Sequence, residues 1–521
     1  MPPGGGVGVS MKRRTYEDWF GMVFFAAACG MLVLSVRLCF ADGIWYDELF
    51  TMGLTERSFG ELTALTARDV HPPVYYYFVK AVRGIIQGMV RGADGIVIGK
   101  LCSILPLAGL FVYAATMVRR RFGWLCAGLF AFGITAMPSL FQYTVEIRMY
   151  TLAMFFVTAA FLHAYEVVCG VGDSGGSRKK DWACLAVYGI LAAYTHYFAG
   201  AAAAMVYLFL LAYLIIKKAA KEEKRKWFLC VLASVAAYLP WAAVVVRQMA
   251  QVKENYWILP LTWRTFGSCV KFLMKPPFGG GIFQVAAAVV LFAVYVGLLF
   301  YGLWKSRKIP AEVFLILSGT GVLAGVVLFG FAASYLLRPV FIVRYMVPAA
   351  GCFWLSFAFF ASRAVKTRKI FLPVLGLVFL LGIGDYRWFR NDETWRRVRM
   401  EEVEEALGQI APEDAVVTQF NQVQGVAGYY LENEIHLWNA EPELLISDIF
   451  ENKYFSLSST EDLKDWMEEG KNVWFIGNKG SGLLEEWKEE GILAEEKQEV
   501  MLEVYWITMY RLYEETPEGE P

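Results

Sequence analysis

The stretch DWFGMVFFAAACGMLVLSVRLCF, residues 18–40, decides the fold of this chain. It is apolar over almost its whole length and can cross the roughly 30 Å hydrocarbon core of a bilayer as a helix. It is also longer than the apolar core of a cleaved signal peptide, so we interpret it as a retained anchor. Ten more apolar runs follow at about 97–118, 123–141, 146–168, 183–199, 200–217, 227–246, 284–304, 311–333, 341–362 and 369–385.

The composition agrees with an all-α polytopic membrane protein of about 11 transmembrane helices. Hydrophobic residues make up 57% of the 521 residues, and charged residues make up only 19%. These values exclude a purely soluble enzyme, a disordered protein and a small disulfide-rich secreted domain. The nine cysteines form no CxxC pair, which argues against a disulfide framework or a zinc site.

Charge divides the chain into two parts near residue 385. Residues 1–384 contain 37 Lys and Arg against 17 Asp and Glu, whereas residues 385–521 contain 12 against 32. The second part, 386–521, is predicted to be a small α/β domain that recognises or stabilises, because it has no Gly-rich phosphate loop and no Cys/His cluster. Its patterns predict strands at 415–420, 471–477 and 503–513, and helices at 393–409, 461–469 and 483–490.

The basic loops predict the orientation. Eleven spans place six basic clusters on one side, which the positive-inside rule makes cytoplasmic. The segment 1–17 is then cytoplasmic, the span domain covers 18–385, and the acidic domain is extracytoplasmic. The chain has no Asn-x-Ser/Thr sequon, which favours a bacterial plasma membrane. The six clusters are Lys12 to Arg14, Arg119 to Arg121, Arg178 to Lys180, Lys217 to Lys226, Lys305 to Lys308 and Arg363 to Lys369.

Residues 41–96 are predicted to form one long outer loop with interfacial helices. The run 72–91 is apolar enough to suggest a further span. At 100° per residue, however, Lys80, Arg83, Gln87 and Arg91 share one face, which is typical of a helix that lies in the membrane interface.

Polar residues that can carry chemistry gather at the outer ends of the spans in this topology, and no comparable set is expected at the cytoplasmic ends. A carboxylate pair beside cations suits transfer from a phosphate-linked donor, because a carboxylate can take a proton while cations stabilise the leaving phosphate. Taken singly, the same residues also fit interfacial caps, snorkelling arginines or a packed histidine. The set comprises Asp47-Glu48, Asp69 and His71, Glu146, Arg148 and Tyr150, Tyr194 to Tyr197, Arg338, and Arg344-Tyr345.

Two motifs in one loop carry a resemblance to a known family. Trp45-Tyr46-Asp47-Glu48 and Asp69-Val70-His71-Pro72-Pro73 resemble the first outer loop of the GT-C glycosyltransferases, in the superfamily of protein O-mannosyltransferases and aminoarabinose transferases. The segments from Glu146 to Tyr150, Tyr194 to Phe198 and Arg344 to Pro348 look like its bacterial members. The resemblance covers about residues 15–390.

The resemblance implies a GT-C fold and an inverting transfer. The donor would be a polyprenyl-phosphate-linked sugar, and the acceptor a hydroxyl of a glycan, glycolipid or protein. Asp47 would be the catalytic base, with Glu48 beside it. Lys100 stands where the family often has Arg, which keeps the charge but loses the two-pronged hydrogen bonding. Substrate or donor-phosphate binding is expected from Asp69, His71, Lys100, Glu146, Arg148, Tyr150, His196, Arg338, Arg344 and Tyr345.

Two other classes of function stay open at the level of sequence. A polyprenyl-linked lipid transporter or flippase would spread polar groups through the membrane midplane. A membrane-anchored sensor would leave the Asp47, His71 and Arg148 set unexplained. No cofactor and no metal ligand is assigned, although two carboxylates and a histidine can hold a divalent metal. The partners expected are the lipid-linked sugar, its acceptor and the bilayer, with no nucleic acid.

Overall fold

The computed structural model describes residues 15–40, 43–137, 139–171, 177–252, 258–276, 279–442, 444–450, 453–502 and 505–515. Up to residue 407, all regular secondary structure of the described residues is helical. A π-helical turn, Ala114–Val118, joins the fifth helix to the sixth. The helices are α1 (Tyr16–Leu38), α2 (Tyr46–Glu56), α3 (Phe59–Thr66), α4 (Val74–Met89), α5 (Gly95–Tyr113), α6 (Arg119–Phe122), α7 (Trp124–Ala136), α8 (Tyr150–Gly170), α9 (Lys179–Thr195), α10 (Tyr197–Ile216), α11 (Lys221–Val252), α12 (Trp263–Met274), α13 (Gly281–Ser306), α14 (Pro310–Leu336), α15 (Val347–Thr367) and α16 (Leu372–Leu407).

Each of the eleven predicted spans coincides with a helix. Among the described residues, nine helical stretches are long and apolar enough to cross a membrane. The other two predicted spans fall on α7 and α9, which have 13 and 17 residues. The fold is therefore the predicted all-α polytopic bundle with a small C-terminal α/β domain.

The centre of the bundle is α15 with α8, whose side chains are almost all buried. Helices α1 and α7 pack backbone against backbone. A Cβ atom added to Gly21 would lie 2.2 Å from the carbonyl of Trp124, and one added to Gly128 would lie within van der Waals overlap of the carbonyl of Gly21. Small residues at such a crossing permit the close approach that stabilises helix pairs in lipid.

The break between α9 and α10 is at His196, and its predicted position between 199 and 200 was wrong. His196 has an extended backbone, and its Nδ1 accepts a hydrogen bond from the backbone N–H of Phe198. The side chain therefore caps α10. The apolar pattern of the two spans runs across this point and gives no sign of the cap.

The first loop, between α1 and α5, holds α2, α3 and α4. The basic residues of α4 are directed to the protein: Lys80 donates to the carbonyl of Thr55 at 2.9 Å, and Arg83 donates to its Oγ1 at 3.1 Å. Ile85 and Met89 of the same helix are exposed. This exposed apolar surface suits a helix that lies along a membrane interface.

The C-terminal domain is an α/β domain whose sheet has the strand order β3-β2-β1-β4-β6-β5. The first four strands in this order pair in parallel, and β6 pairs antiparallel with both β4 and β5. The strands are β1 (Ala415–Thr418), β2 (Ile435–Trp438), β3 (Tyr454–Leu457), β4 (Val473–Gly477), β5 (Ile492–Leu502) and β6 (Tyr505–Glu514), with helices α17 (Asn421–Tyr430), α18 (Leu444–Ile449), α19 (Thr460–Glu468) and α20 (Leu483–Glu489).

Sequence patterns predicted β1, β4 and β6 but missed β2, β3, β5, α17 and α18. Strands β2 and β3 have four residues each, too few for an alternating pattern. Strand β5 is an edge strand with a run of Glu, Lys and Gln, residues that are depleted in strands. The predicted residues 503 and 504 of the last strand lie outside the described part of the chain.

Helix α16 connects the two parts of the molecule without interruption. The predicted boundary near residue 385 falls inside it, and the predicted helix at 393–409 is its second half. One hydrophobic core is shared by the first loop, α16 and the domain, and Tyr76, Val403 and Ile435 within it are fully buried. The first loop and the C-terminal domain are therefore packed against each other.

Candidate active site

Asp47 lies between two arginines at the beginning of α2. Its Oδ2 is 3.6 Å from Nη2 of Arg148 and 3.6 Å from Nη2 of Arg344. Arg148 also donates to the backbone carbonyl of Asp47 at 3.1 Å. Arg148 is 4% exposed, whereas Asp47 retains 27% of its side-chain surface. The carboxylate is therefore held in place by a buried cation and still reaches solvent.

Both oxygens of Glu48, the neighbouring carboxylate, accept hydrogen bonds from backbone N–H groups. Its Oε1 accepts from the N–H of Ile147 at 2.7 Å, and its Oε2 accepts from the N–H of Trp45 at 3.2 Å. The second bond caps α2, and the first fastens the segment that carries Arg148. Burial raises the pKa of Glu48 to about 7, against the lowering effect of the Lys100 charge and of both backbone bonds. Glu48 thus positions the elements around Asp47.

Glu146 is a second carboxyl group with a raised pKa. Burial and the nearby charge of Glu48 raise the pKa of Glu146 to about 8, although Arg148 and Arg344 act in the opposite direction. Ser103 of α5 donates to the backbone carbonyl of Glu146 and holds the segment near Lys100. At neutral pH this carboxyl group is largely protonated, so it can donate a hydrogen bond.

A histidine branch extends from the other side of Arg148. Nδ1 of His71 is 3.1 Å from Oδ2 of Asp69. Burial disfavours the charge of Asp69, but His71 and Arg148 outweigh this effect and hold the pKa of Asp69 below its usual value. The ring of His71 lies 5.8 Å from that of His196, which lies 5.0 Å from Tyr345. The branch connects the first loop to the start of α10 and to the turn before α15.

Aromatic rings surround Arg344. Its guanidinium carbon is 5.8 Å from the ring of Trp45 and 6.0 Å from that of Tyr150, within cation–π range. Tyr150 is also 5.9 Å from His196. The rings fix a cation whose side chain is 23% exposed.

The structure brings most of the predicted site residues together. Asp47, Glu48, Asp69, His71, Lys100, Glu146, Arg148, Tyr150, His196, Arg344 and Tyr345 are connected by the contacts and charge interactions just described. Arg338 lies half-buried in the connection between α14 and α15 and takes no part in the contacts given above.

A cavity of about 490 Å³ opens beside the cluster. On one side it is lined by Glu48, Lys100, Glu146 and Arg344. On the other side it is lined by the part of α16 that follows the apolar span. The cluster therefore lies between the helical bundle and a chamber large enough for a small polar ligand.

Sequence patterns missed two sets of residues around this site. The α16 residues that line the cavity lie in the acidic part of the chain, which was predicted to have no part in the chemistry. Gln248 of α11 donates to the backbone carbonyls of Thr66 at 3.0 Å and Ala67 at 3.4 Å, just before Asp69, and accepts from the hydroxyl of Tyr197. The only available signal was a polar residue just after a predicted span.

The opposite end of the bundle also holds a polar cluster, so the expectation that no comparable set lies there was wrong. Glu166 receives two hydrogen bonds from Arg121, at 2.8 and 2.6 Å, and one from Arg178 at 2.8 Å. Arg178 also pairs with Asp181, which is 2.9 Å from Nδ1 of His163. His163 and Glu166 lie in the apolar helix α8 and Asp181 lies in the first turn of α9, so no local pattern in the sequence indicated this cluster. Glu166 and Asp181 are each paired with an arginine in this cluster.

In the described part of the chain, no three His, Cys, Asp or Glu side chains are placed to hold one metal ion. Asp69 and His71 form a pair at the cluster, and Asp47 is paired with arginines instead. The chemistry that the geometry offers is therefore a partly exposed carboxylate with cations on two sides.

Comparison with solved structures shows that the chain has a GT-C fold. The chain is similar to ArnT, an aminoarabinose transferase, from Cupriavidus metallidurans. The TM-score is 0.60 at 11% identity for the apo structure, and 0.58 at 12% identity for the structure bound to undecaprenyl phosphate. Both matches cover 95% of this chain and 98% of the other. The likeness thus extends beyond residues 15–390 into the C-terminal domain. Comparisons with protein-family models and with curated protein sequences give no match.

Proposed function

We propose that the protein is a membrane glycosyltransferase that moves a glycosyl group from a polyprenyl-phosphate donor to an acceptor hydroxyl, with inversion at the anomeric carbon. The observation that carries this proposal is the position of Asp47. It is a carboxylate held between Arg148 and Arg344 at 3.6 Å from each, where the bundle meets a cavity. The GT-C fold and the ArnT structure with undecaprenyl phosphate support a lipid-linked donor.

Asp47 is the general base in this proposal. It takes the proton of the acceptor hydroxyl while the acceptor oxygen attacks the anomeric carbon from the side opposite the phosphate. The bond between that carbon and the phosphate oxygen breaks, and the polyprenyl phosphate leaves with the bonding electrons. Asp47 then releases its proton to water. The partial exposure of Asp47 gives it access to an acceptor from the aqueous side.

Arg148 and Arg344 stabilise the charge of the leaving phosphate. Each arginine has five N–H donors, so each can keep its contact with Asp47 and still bind a phosphate oxygen. Buried Nε atoms of both arginines have no hydrogen-bond partner among the described residues. Lys100, in the second turn of α5 beside the cavity, adds a third positive charge.

The glycosyl transfer takes place on the extracytoplasmic side in this proposal. The site lies at the end of the bundle that carries the C-terminal domain, and the basic clusters among the described residues lie at the other end. The polyprenyl tail remains in the bilayer beside the bundle, while the acceptor approaches from water.

Consumption of donor by the purified protein tests the proposal. The full-length chain in nanodiscs is mixed with an undecaprenyl-phosphate sugar, and free undecaprenyl phosphate is measured with and without candidate acceptors. The Asp47→Asn variant should lose release of undecaprenyl phosphate. Glu56→Gln is the matched control, because Glu56 lies on the same helix and is 62% exposed. Transport across vesicles without consumption, or binding alone, would favour the flippase or the sensor instead.

A further inference from the structure

The cavity beside Asp47 has a wall that the proposed chemistry does not use. This side of the cavity is lined by residues of α16 between Trp388 and Arg399, and Met501 of β5 borders them. Trp388, Asp392, Trp395 and Arg399 follow one another at intervals of three or four residues, so they lie on one face of the helix. We call these four residues the α16 wall.

Two tryptophans of the α16 wall present large apolar surfaces to the cavity. Trp388 is 42% exposed and Trp395 is 49% exposed, and both line the cavity. Exposed indole surface is unfavourable in water, at about 25 cal/mol per Å². An indole ring beside a carboxylate such as Asp392 combines an apolar face with a hydrogen-bond acceptor. This combination fits a sugar ring, which has apolar C–H faces and hydroxyl donors.

Arg399 holds the α16 wall in a fixed orientation. Its guanidinium carbon lies 3.6 Å from the ring centre of Trp395 and 4.9 Å from that of Trp506 in β6. Arg399 also donates to the sulfur of Met501. One face of Trp395 is thereby covered, and the helix is joined to the sheet of the C-terminal domain. A preorganised wall of this kind lowers the entropy lost on binding.

The α16 wall lies where the group attached to a bound phosphate must extend. Arg344 contacts Asp47 and also lines the cavity, so a phosphate on this arginine lies at the edge of the cavity. The sugar is bonded directly to that phosphate. With the phosphate at Arg344, this cavity of about 490 Å³ adjoins it and is large enough for a sugar.

We infer that the α16 wall binds the glycosyl group of the lipid-linked donor and determines which sugar is accepted. The inference rests on the proposed function, since it takes a polyprenyl-phosphate sugar as the substrate. Trp388 and Trp395 stack on the sugar ring, and Asp392 accepts hydrogen bonds from its hydroxyls. Aromatic stacking of this kind contributes a few-fold to ten-fold in affinity, and the hydroxyl contacts discriminate between sugars.

Comparing lipids with and without a sugar tests this inference. Dissociation constants are measured in nanodiscs for undecaprenyl phosphate and for undecaprenyl phosphate bearing a neutral hexose or a neutral pentose. For Trp388→Ala and Trp395→Ala, the better-bound sugar lipid should bind about 3- to 10-fold more weakly. Binding of undecaprenyl phosphate alone should change by less than about 2-fold, which also shows that the variants are folded. Trp388→Phe should restore part of the loss, and Asp392→Asn should change the preference between hexose and pentose.

Trp263→Ala is the matched control, because Trp263 lies on α12 and is 82% exposed. Equal weakening for the lipid with and without the sugar would overturn the inference and make the tryptophans membrane anchors or structural residues. Unchanged binding of the sugar lipids would overturn it as well. The two proposals fail differently. If donor is consumed and Asp47→Asn is inactive while the wall variants do not discriminate, only the wall fails. If no donor is consumed but the variants discriminate, only the proposed transfer fails.

Discussion

Replacing Asp47 by Asn should separate catalysis from donor binding. Asparagine keeps the size and shape of the side chain but removes its basicity and its negative charge. Loss of a general base costs about 10²- to 10⁴-fold in rate. Binding should change in the opposite direction, because Arg148 and Arg344 lose the carboxylate 3.6 Å away that now competes with the donor phosphate.

The size of the binding effect follows from these distances. A unit charge about 4 Å from another contributes about 1 kcal/mol in water and about 4 kcal/mol at an effective dielectric constant of 20. Asp47 is 27% exposed, so solvent reduces the effect toward the lower value. We therefore expect undecaprenyl phosphate to bind Asp47→Asn about 3- to 10-fold more tightly.

Glu48→Gln gives the matched comparison on the adjacent residue. Both oxygens of Glu48 accept hydrogen bonds from backbone N–H groups, and a glutamine can accept at only one of these positions. The expected result is a free energy of unfolding lower by about 1–3 kcal/mol, with a smaller loss of turnover than for Asp47→Asn.

The assay measures turnover of an undecaprenyl-phosphate sugar, binding of undecaprenyl phosphate and thermal unfolding for both variants. Normal turnover by Asp47→Asn together with an inactive, stable Glu48→Gln would exchange the two roles. Activity in both variants would place the reaction elsewhere. Weaker lipid binding by Asp47→Asn would refute the charge argument.

Three further predictions address pH, the first loop and orientation. Glu48 and Glu146 should ionise between pH 6 and pH 9, because their pKa values are raised to about 7 and about 8. Donor binding should therefore weaken about 3- to 10-fold over this range, and the change should be smaller in Glu146→Gln. A flat pH profile of donor binding would contradict this prediction. Gln248→Ala removes the hydrogen bonds from the Gln248 amide to the carbonyls of Thr66 and Ala67, so kcat/KM should fall about 5- to 20-fold, mainly through kcat. Met249→Ala is the exposed control, and equal effects of the two variants would refute the prediction. In intact cells an impermeant maleimide should label Glu469→Cys but not Glu222→Cys, and the opposite labelling would reverse the orientation.

The sequence predicted what depends on local patterns. Apolar runs located the helices, and the short polar motifs located Asp47 at the end of the first span. It could not predict the approach of Arg148 to Asp47 across about 100 residues, because nothing in either segment specifies the partner. The α16 wall was missed for a related reason. Its two tryptophans, Asp392 and Arg399 lie in a segment rich in charged residues, a pattern that indicates solvent exposure, and only the packing of the domain makes it the side of a cavity.

The stabilising residues were the least predictable part of the site. Gln248 and Glu48 act through single hydrogen bonds to backbone groups, and such bonds leave no repeat or spacing in the sequence. The paired acids at the opposite end of the bundle show the converse. Glu166 lies among apolar residues of α8 and Asp181 lies in the first turn of α9, yet the fold assembles them into one network.

The hydrophobic core shared by the first loop and the C-terminal domain has a consequence for biosynthesis. Tyr76 of the first loop packs in the same core as Ile507 of the last strand, so the loop made early in translation finds its final partners only when synthesis is nearly complete. At about 5–20 residues per second, the interval is roughly 20–90 s. During that time α2 and α4 lack the C-terminal part of the core against which they finally pack. The residues around Asp47 are therefore synthesised early, but their surroundings are complete only after the last strand has been made.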